Sequence, residues 1–250
     1  MKGGGARVLL APLAGWIAPI EEAPDEVFAS RMLGDGVAID PTSATLCAPC
    51  DGELIVIAAA RHAVTLRTPE GCEVLLHVGI DSVGLGGQGF ELHARQGARL
   101  RAGEPLLSFD LDLVARRARS VVTPVIVGAD SGFRIVRRSS GRELAVGEFL
   151  MEIAAPAASA VAGASAEART VRRLKVAFEH GIYTRPAALL AGSVRNLAAD
   201  VRIAAHGREA DARSIVALMA LGVEAGEEIE IRASGPDAHA AVQALAAVLS

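Results

Sequence analysis

A tract of small residues over positions 154–169, AAPAASAVAGASAEAR, divides the chain into two parts. It contains no large apolar side chain, and its charged residues come only at its end. Such a segment cannot bury enough apolar surface to offset the entropy lost when it becomes ordered. We therefore expect an interdomain linker between one domain over residues 1–153 and another over residues 170–250. The length of 250 residues suits two ordinary domains.

The first part has the sequence pattern of an all-β domain. Glycine, proline and aspartate separate short apolar runs at positions 7–10, 52–58, 63–67 and 73–78, as expected for strands joined by turns. One short helix is predicted over residues 112–119, before Thr123 and Pro124. Many short strands at close spacing predict a sandwich or a partly closed barrel.

The second part alternates between strands and helices. Apolar residues at period two predict strands around Leu174, Val176 and Phe178, around Val201 and Ile203, over 208–211, and around Ile229 and Ile231. Helices are predicted over 185–197, with Pro186 in the first turn, over 214–221, ended by Gly222, and after the capping residue Asp237. The order β-α-β-β-α-β-α predicts an open-faced α/β sandwich.

Composition limits the classes of function. The net charge of −4 argues against a nucleic-acid-binding protein, because contacts to the phosphate backbone need concentrated lysine and arginine. No apolar run approaches the roughly 18 residues of a membrane span, and the N-terminal segment lacks the apolar core of a signal peptide. These features predict a soluble, cytosolic protein.

The three cysteines do not form the pattern of a disulfide framework. Cys47 and Cys50 have the C-x-x-C spacing of zinc and redox sites, but no second pair follows and no thioredoxin-like strand and helix surround them. We interpret them as small apolar residues beside a tight turn. The sequence therefore predicts neither a bound metal nor a cofactor.

Two histidines in the first part, His62 and His77, each fall in a predicted strand, 15 residues apart. A turn at residues 69–71 would make these strands antiparallel and set the two imidazoles side by side. An unprotonated imidazole nitrogen accepts a phosphoryl group near neutral pH, and a second imidazole can donate a hydrogen bond to that group. From spacing alone, surface polar residues and metal ligands are alternative interpretations.

The first part resembles the glucose-type enzyme IIA of the bacterial sugar phosphotransferase system. The motifs that carry this resemblance are APLAGWIAPIEEAPDEVFA at 11–29, LGDGVAIDP at 33–41, APCDGEL at 48–54, RHAVTL at 61–66, LLHVGIDSVGL at 75–85, FDLDLV at 109–114 and VVTPVIV at 121–127. The resemblance implies a β-sandwich of the duplicated hybrid motif type. It also implies that His77 is the phosphorylated histidine and that His62 is its stabilising partner.

The same resemblance implies an apolar rim that meets partner proteins, formed by Phe28, Val37 and Ile39, with Asp25 and Asp81 nearby. The chain departs from the family at two sets of positions. Ala60 and Arg61 stand where relatives have a small polar pair that includes threonine. Rim positions that are usually aromatic are occupied by Ala58, Val64 and Leu75. The departures bear on partner choice more than on chemistry.

Lysostaphin-like zinc peptidases share this type of fold and offer a different interpretation of the histidines. They need an H-x-x-x-D ligand pair and a later H-x-H motif. His77 and Asp81 fit the first pattern, but the chain has no H-x-H. A four-ligand zinc site is therefore not predicted.

In the second part, the segment EHGIYTRPAALL at 179–190 places a turn before a helix. Backbone N–H groups at the start of a helix can bind an anion, and Arg185 can add a charged contact. The segment resembles the phosphorylation loop of HPr, the small carrier of the same system, and the resemblance continues over 213–231. It implies phosphate binding at Thr184 and Arg185, and Ser214 matches a regulatory serine of some relatives.

Tyr183 stands where HPr has its phosphorylated histidine. A phenol has a pKa near 10, against about 6.5 for histidine, so without a base it is a poor nucleophile at neutral pH. A phosphotyrosine ester would also make onward transfer uphill. We predict that this module does not carry phosphate as its relatives do. Three explanations are open: a deliberate substitution that stops transfer, a natural change to a docking or regulatory role, and His180 as substitute acceptor.

Together these patterns predict a fused enzyme IIA–HPr protein, the front part of a longer protein that continues into an enzyme I domain. Phosphate would pass from phosphoenolpyruvate through enzyme I and HPr to His77, and then to a membrane-bound enzyme IIB/IIC. Glucose and N-acetylglucosamine both agree with the resemblance. The alternative is a non-catalytic regulator whose partner binding depends on phosphorylation of His77.

Overall fold

A computed structural model of the chain describes residues 6–155 and 169–249. The chain divides into two compact units, Met1–Ala157 and Ala158–Ser250. Most of the predicted linker, residues 156–168, lies outside the described residues, so the linker remains a prediction. Arg169, the last residue of that tract, already begins a strand. No helix in the two described stretches is long and apolar enough to cross a lipid bilayer.

The first unit is built from short strands, as the sequence predicted. In chain order its elements are β1 Arg7–Leu10, β2 Gly15–Pro19, α1 Glu26–Ala29, β3 Gly34–Pro41, β4 Thr45–Cys47, β5 Gly52–Ile57, β6 Ala63–Arg67, β7 Glu73–His77, β8 Phe90–Leu92, β9 Arg99–Leu100, β10 Pro105–Phe109, α2 Leu111–Arg117, β11 Thr123–Gly128, β12 Arg134–Arg138, β13 Arg142–Leu144 and β14 Phe149–Ala154. The Asp110 side chain accepts a hydrogen bond from the backbone of Leu113 and so caps α2, the predicted short helix.

The strands of this unit form three antiparallel sheets. The largest has eight strands in the order β13-β2-β3-β11-β7-β6-β5-β9, and two sheets of three strands have the orders β1-β14-β12 and β4-β10-β8. None of these sheets closes on itself among the described residues. Open sheets of this kind are consistent with the predicted sandwich.

Strand alternation gives the eight-stranded sheet two different faces. Val74 and Leu76 of β7 are fully buried members of the main hydrophobic core. Successive side chains of a strand point to opposite faces, so Leu75 and His77 lie on the other face. Both of these residues are nevertheless at most 5% exposed. The second face of the sheet is therefore also shielded from solvent at these positions.

The second unit has the predicted order of elements. They are β15 Arg169–Lys175, α3 Thr184–Val194, β16 Asp200–Ala205, β17 Arg208–Asp211, α4 Ile215–Ala220, β18 Glu228–Ser234 and α5 Ala238–Leu249. The four strands form one antiparallel sheet in the order β15-β18-β16-β17. Helix α5 packs on this sheet and α3 packs on α4 and α5, as in an open-faced sandwich.

The position of the first strand of this unit was predicted wrongly. Leu174 lies in β15, but Val176 and Phe178 follow its end at Lys175. Val176 is buried at 1% exposure, and its N–H donates to the carbonyl of Glu227. Val176 is therefore apolar because it is buried just after the strand. The strand itself is the arginine-rich segment before it, which pairs with β18.

Candidate functional site

His77 ends strand β7 near the middle of the eight-stranded sheet. Ala63 of β6 pairs directly with it, and β11 lies on its other side. Its Nδ1 lies 2.8 Å from the carbonyl oxygen of Gly79. A carbonyl oxygen can only accept a hydrogen bond, so Nδ1 carries the proton and donates. In the neutral imidazole this leaves the lone pair on Nε2.

His62 lies beside His77, as the sequence predicted. The two ring centroids are 4.8 Å apart and the ring planes meet at 81°. His62 is not within a strand, however, because β6 begins one residue later at Ala63. Its backbone carbonyl accepts a hydrogen bond from the N–H of Val78 at 2.8 Å. The hairpin pairing therefore extends beyond the strand and fixes the distance between the histidines.

Helix α1 places an aromatic ring against the histidine pair. The Phe28 ring meets the His77 ring edge-on, with centroids 5.2 Å apart. The Asp25 carboxylate accepts a hydrogen bond from the Val27 N–H at 2.9 Å, and an aspartate in this position caps a helix start. Asp25, expected near the site, is thus a buried residue that positions the helix carrying Phe28.

The predicted apolar rim is wrong at several positions. Val37 and Ile39 are fully buried and belong to the main hydrophobic core, as does Val64. They occupy the core-facing positions of β3 and β6, so they cannot meet a partner protein. Phe28 lies at the histidine pair instead, and Leu75 is on the histidine face of β7 but is 5% exposed.

Asp81 follows His77 by four residues and has a left-handed backbone, with φ of 59°. It precedes a 3-10 turn over Ser82–Leu85, and Ser82 is held by a hydrogen bond from its hydroxyl to the Val78 carbonyl. The turn therefore folds back over the end of β7 and keeps Asp81 close to the histidine segment. Across residues 6–155 and 169–249, no group of three or more His, Cys, Asp or Glu side chains could hold a metal ion.

Small residues lie near His77 in its sheet, and the motifs alone do not reveal them. Ala63 faces it on β6. On the other side, the register of β11 and β3 pairs Pro124 with Ala38, and Ala38 pairs in turn with Ala18 of β2. These residues could have been found only from the register of four strands, because alanine is common throughout this chain.

Tyr183 of the second unit occupies the N-cap position of α3, with an extended backbone and no capping hydrogen bond from its side chain. The His180 ring lies near it, with ring centroids 6.3 Å apart. Gly181 between them has φ of 70°, and its N–H donates to the Phe178 carbonyl. The predicted loop and helix start are therefore present, and they bring His180 and Tyr183 together.

The predicted phosphate contacts at this helix start are only partly available. Thr184 is 2% exposed, and its hydroxyl lies 3.6 Å from the sulfur of Met219. Its side chain is therefore directed into the core, and only its backbone N–H suits an anion. Arg185 is half-buried in the first turn of α3. Ser214 caps α4 by accepting a hydrogen bond from the Ala217 N–H at 3.2 Å.

Comparisons with known proteins divide the chain in the same way. Residues 7–132 match the family described as phosphoenolpyruvate-dependent sugar phosphotransferase system, EIIA 1. Residues 170–250 match the family described as PTS HPr component phosphorylation site. The described part of each matched range contains the site built above.

Individual relatives and solved structures resemble one or the other part of the chain. The glucose-specific EIIA component of the PTS system from Bacillus cereus is 45% identical over 121 residues, which are 48% of this chain and 73% of the relative. The solved structure of the glucose permease IIA from Mycoplasma capricolum is 37% identical and has a TM-score of 0.57, with coverage of 59% of this chain and 96% of that chain. A structure of the phosphocarrier protein HPr from Bacillus anthracis is 34% identical with a TM-score of 0.33, and covers 34% of this chain and 100% of that chain.

Proposed function

Because this chain belongs to the EIIA 1 family of the phosphoenolpyruvate-dependent sugar phosphotransferase system and continues into an HPr domain, we propose that it carries phosphate on Nε2 of His77. The observation that carries this proposal is the 2.8 Å hydrogen bond between His77 Nδ1 and the Gly79 carbonyl. That bond fixes the tautomer in which Nε2 holds the lone pair. A neutral imidazole with a fixed lone pair is a good phosphoryl acceptor near neutral pH.

The transfer step exchanges one N–P bond for another. Nε2 of His77 attacks the phosphorus of a phosphohistidine on the donor protein, and a new N–P bond forms as the old one breaks. The electron pair of the broken bond returns to the donor imidazole. In such loose transition states, positioning and charge stabilisation do most of the work. The His62 ring, 4.8 Å from His77, supplies an N–H donor for the phosphoryl oxygens.

Burial of the histidine pair supports this role. His62 and His77 are 1% and 4% exposed, and water is therefore kept away from the reacting nitrogen. Exclusion of water limits hydrolysis of a reactive intermediate and strengthens each hydrogen bond to the phosphoryl group. The Phe28 ring forms part of this apolar surround.

The HPr domain does not act as a phosphate carrier in this proposal. Tyr183 stands at the N-cap position from which a histidine would present its ring to the donor. The phenol needs a base, and its phosphate ester would not pass phosphate on. His180 is an exposed residue beside it and is the rival acceptor in this domain.

The partners follow from the system to which the two families belong. Phosphate passes from phosphoenolpyruvate through enzyme I and a separate HPr to His77, and then to a membrane-bound enzyme IIB/IIC that takes up sugar. The B. cereus relative is described as glucose-specific, and we propose glucose or N-acetylglucosamine for this chain. The second candidate function is a non-catalytic regulator that docks on target proteins according to the phosphorylation of His77, with the tyrosine-containing domain silent.

Intact-protein mass spectrometry tests the proposal. The chain is incubated with phosphoenolpyruvate and enzyme I alone, then with added HPr, and the Tyr183→His variant is treated in the same two ways. We expect no gain with enzyme I alone, and one acid-labile phosphate on His77 when HPr is added or when residue 183 is changed to histidine. His77→Gln is the control and should gain no phosphate at this site.

The outcomes separate the alternatives. A gain with enzyme I alone, mapped to His180 or His77, would show that the HPr domain works despite Tyr183. Failure of His77 to gain phosphate under every condition would overturn the carrier function. Incubation of the phosphorylated chain with enzyme IIB then distinguishes a carrier, which loses the phosphate to IIB, from a regulator, which retains it.

A further inference from the structure

Backbone strain is concentrated around the histidine pair. Four non-glycine residues of the described chain have a left-handed backbone: Arg31, Arg61, Asp81 and His206, with φ of 58°, 56°, 59° and 54°. Three of them lie close in sequence to residues of the site: Arg31 follows the helix that carries Phe28, Arg61 directly precedes His62, and Asp81 follows His77 by four residues. Strained residues of this kind persist where the surrounding structure requires them, and they cluster at functional sites.

Arg31 and Arg61 differ in whether their guanidinium groups form ion pairs. The Arg31 guanidinium is paired with Glu21 and Asp35. Arg61 is exposed, and within residues 6–155 and 169–249 its guanidinium makes no ion pair. Its backbone N–H donates to the Ala58 carbonyl at 2.8 Å and so closes the turn that leads into His62. The turn therefore places, directly before His62, a cationic residue that has no ion pair among the described residues.

The side chain of Arg61 lies toward the loop that follows His77. A Cβ atom placed on Gly87 would be 3.9 Å from Arg61 Cδ, and also 3.9 Å from the backbone carbon of Ala60. Gly87 belongs to the glycine-rich segment after the Ser82–Leu85 turn. Arg61 thus lies between the segment before His62 and the segment after His77.

The charge of a phosphoryl group on His77 needs a partner of opposite sign. A guanidinium offers paired N–H donors that match phosphoryl oxygens in geometry and charge. We propose that Arg61 is the phosphoryl-binding residue that neutralises the group carried by His77. This inference rests on the proposed function of His77.

The test compares Arg61→Gln, Arg61→Lys and Arg61→Gly with a control, Arg67→Gln. Arg67 is an exposed residue of the same hairpin, paired with Glu73. Each protein is phosphorylated with phosphoenolpyruvate, enzyme I and added HPr. The rate is followed by mass spectrometry, and the pKa of the phosphoryl group on His77 is measured by ³¹P NMR. Arg61→Gly accepts a left-handed backbone without strain, so loss of function in that variant is not a folding defect.

We expect Arg61→Gln and Arg61→Gly to be phosphorylated roughly tenfold more slowly and to show a higher phosphoryl pKa, because a nearby cation favours the doubly ionised group. Arg61→Lys should retain most of both properties, and Arg67→Gln should match the unchanged protein.

Equal rates and equal phosphoryl pKa values in Arg61→Gln and the unchanged protein would overturn the role of Arg61 alone. An equal defect in Arg67→Gln would overturn it in favour of general surface charge. An unchanged protein that takes no phosphate on His77 would overturn the proposed function and this inference together.

Discussion

At the residue scale, the chemistry of the first unit depends on which atoms already have hydrogen-bond partners. The Gly79 carbonyl accepts a hydrogen bond from Nδ1 of His77, which leaves the lone pair of the neutral ring on Nε2, the nitrogen that we propose as the phosphoryl acceptor. Thr65 lies on the same face of the hairpin, but its hydroxyl lacks a hydrogen-bond partner in the part of the chain that the structure describes. It is fully buried, and its Oγ1 has no hydrogen-bond partner among the described residues. Burial of this hydroxyl without a hydrogen bond therefore costs folding free energy.

We predict that Thr65→Val stabilises the first unit by about 1 kcal/mol, because a methyl group of the same shape replaces a buried hydroxyl that lacks a partner. Urea unfolding measures the change. Thr68→Val is the matched control, since the Thr68 hydroxyl accepts a hydrogen bond from the Cys72 N–H at 3.2 Å, and that variant should lose about 1 kcal/mol. Destabilisation of Thr65→Val by a similar amount would show that the hydroxyl has a partner in solution.

At the element scale, the start of α3 is held by a close approach of two backbones. The Ile182 N–H donates to the Val223 carbonyl at 2.9 Å. A Cβ atom on the preceding Gly181 would lie 2.0 Å from that carbonyl oxygen. The loop that presents His180 and Tyr183 therefore requires glycine at position 181 for space as well as for backbone conformation.

We predict that Gly181→Ala destabilises the second unit by roughly 3 kcal/mol, because the clash is with backbone that cannot rotate away. Gly207→Ala is the control: its φ of 71° is almost the same, but no atom lies within 4 Å of the added carbon. That variant should lose only about 1 kcal/mol from left-handed strain. Thermal unfolding of both variants gives the comparison, and equal losses would contradict the steric explanation.

At the scale of the whole molecule, each unit has its own sheets and core, and in the first unit an ion pair joins two of the sheets. Arg138 of β12 donates to Asp35 of β3 at 2.7 Å and to the Gly36 carbonyl at 2.8 Å. Burial raises the pKa of Asp35, but the hydrogen bond and charge of Arg138 outweigh it, so the net pKa is lowered.

This lowered pKa has a defined consequence for acid stability. A carboxyl group whose pKa is lower in the folded state contributes stability above its unfolded pKa of about 3.9, and the contribution is lost as the pH falls through the folded value. We predict that Asp35→Asn loses about 1 kcal/mol at pH 7, a figure reduced for partial exposure, and that its difference from the unchanged protein disappears in acid. Urea midpoints across this pH range test the prediction, with the exposed Asp40→Asn as control; a difference that persists at low pH would contradict it.

The local pattern of the sequence was sufficient for much of the architecture. Period-two apolar runs and their turns predicted the β6–β7 hairpin, and with it the contact between His62 and His77, because both depend on residues close in the chain. The β-α-β-β-α-β-α order of the second unit followed in the same way from strand and helix periodicity. The motifs around His77 and Tyr183 were sufficient to identify both families.

Only the tertiary structure decided what depends on distant residues. Val37 and Ile39 have the same period-two pattern whether they face a partner or the core, and packing of the sheets placed them in the core. The Thr184 hydroxyl was directed away from the predicted anion site by its contact with Met219, 35 residues later in the chain. The sheets remained open, and Arg61 was held in a left-handed conformation beside the glycine-rich loop, because strand register and loop contacts are fixed by the assembled fold and not by local preference.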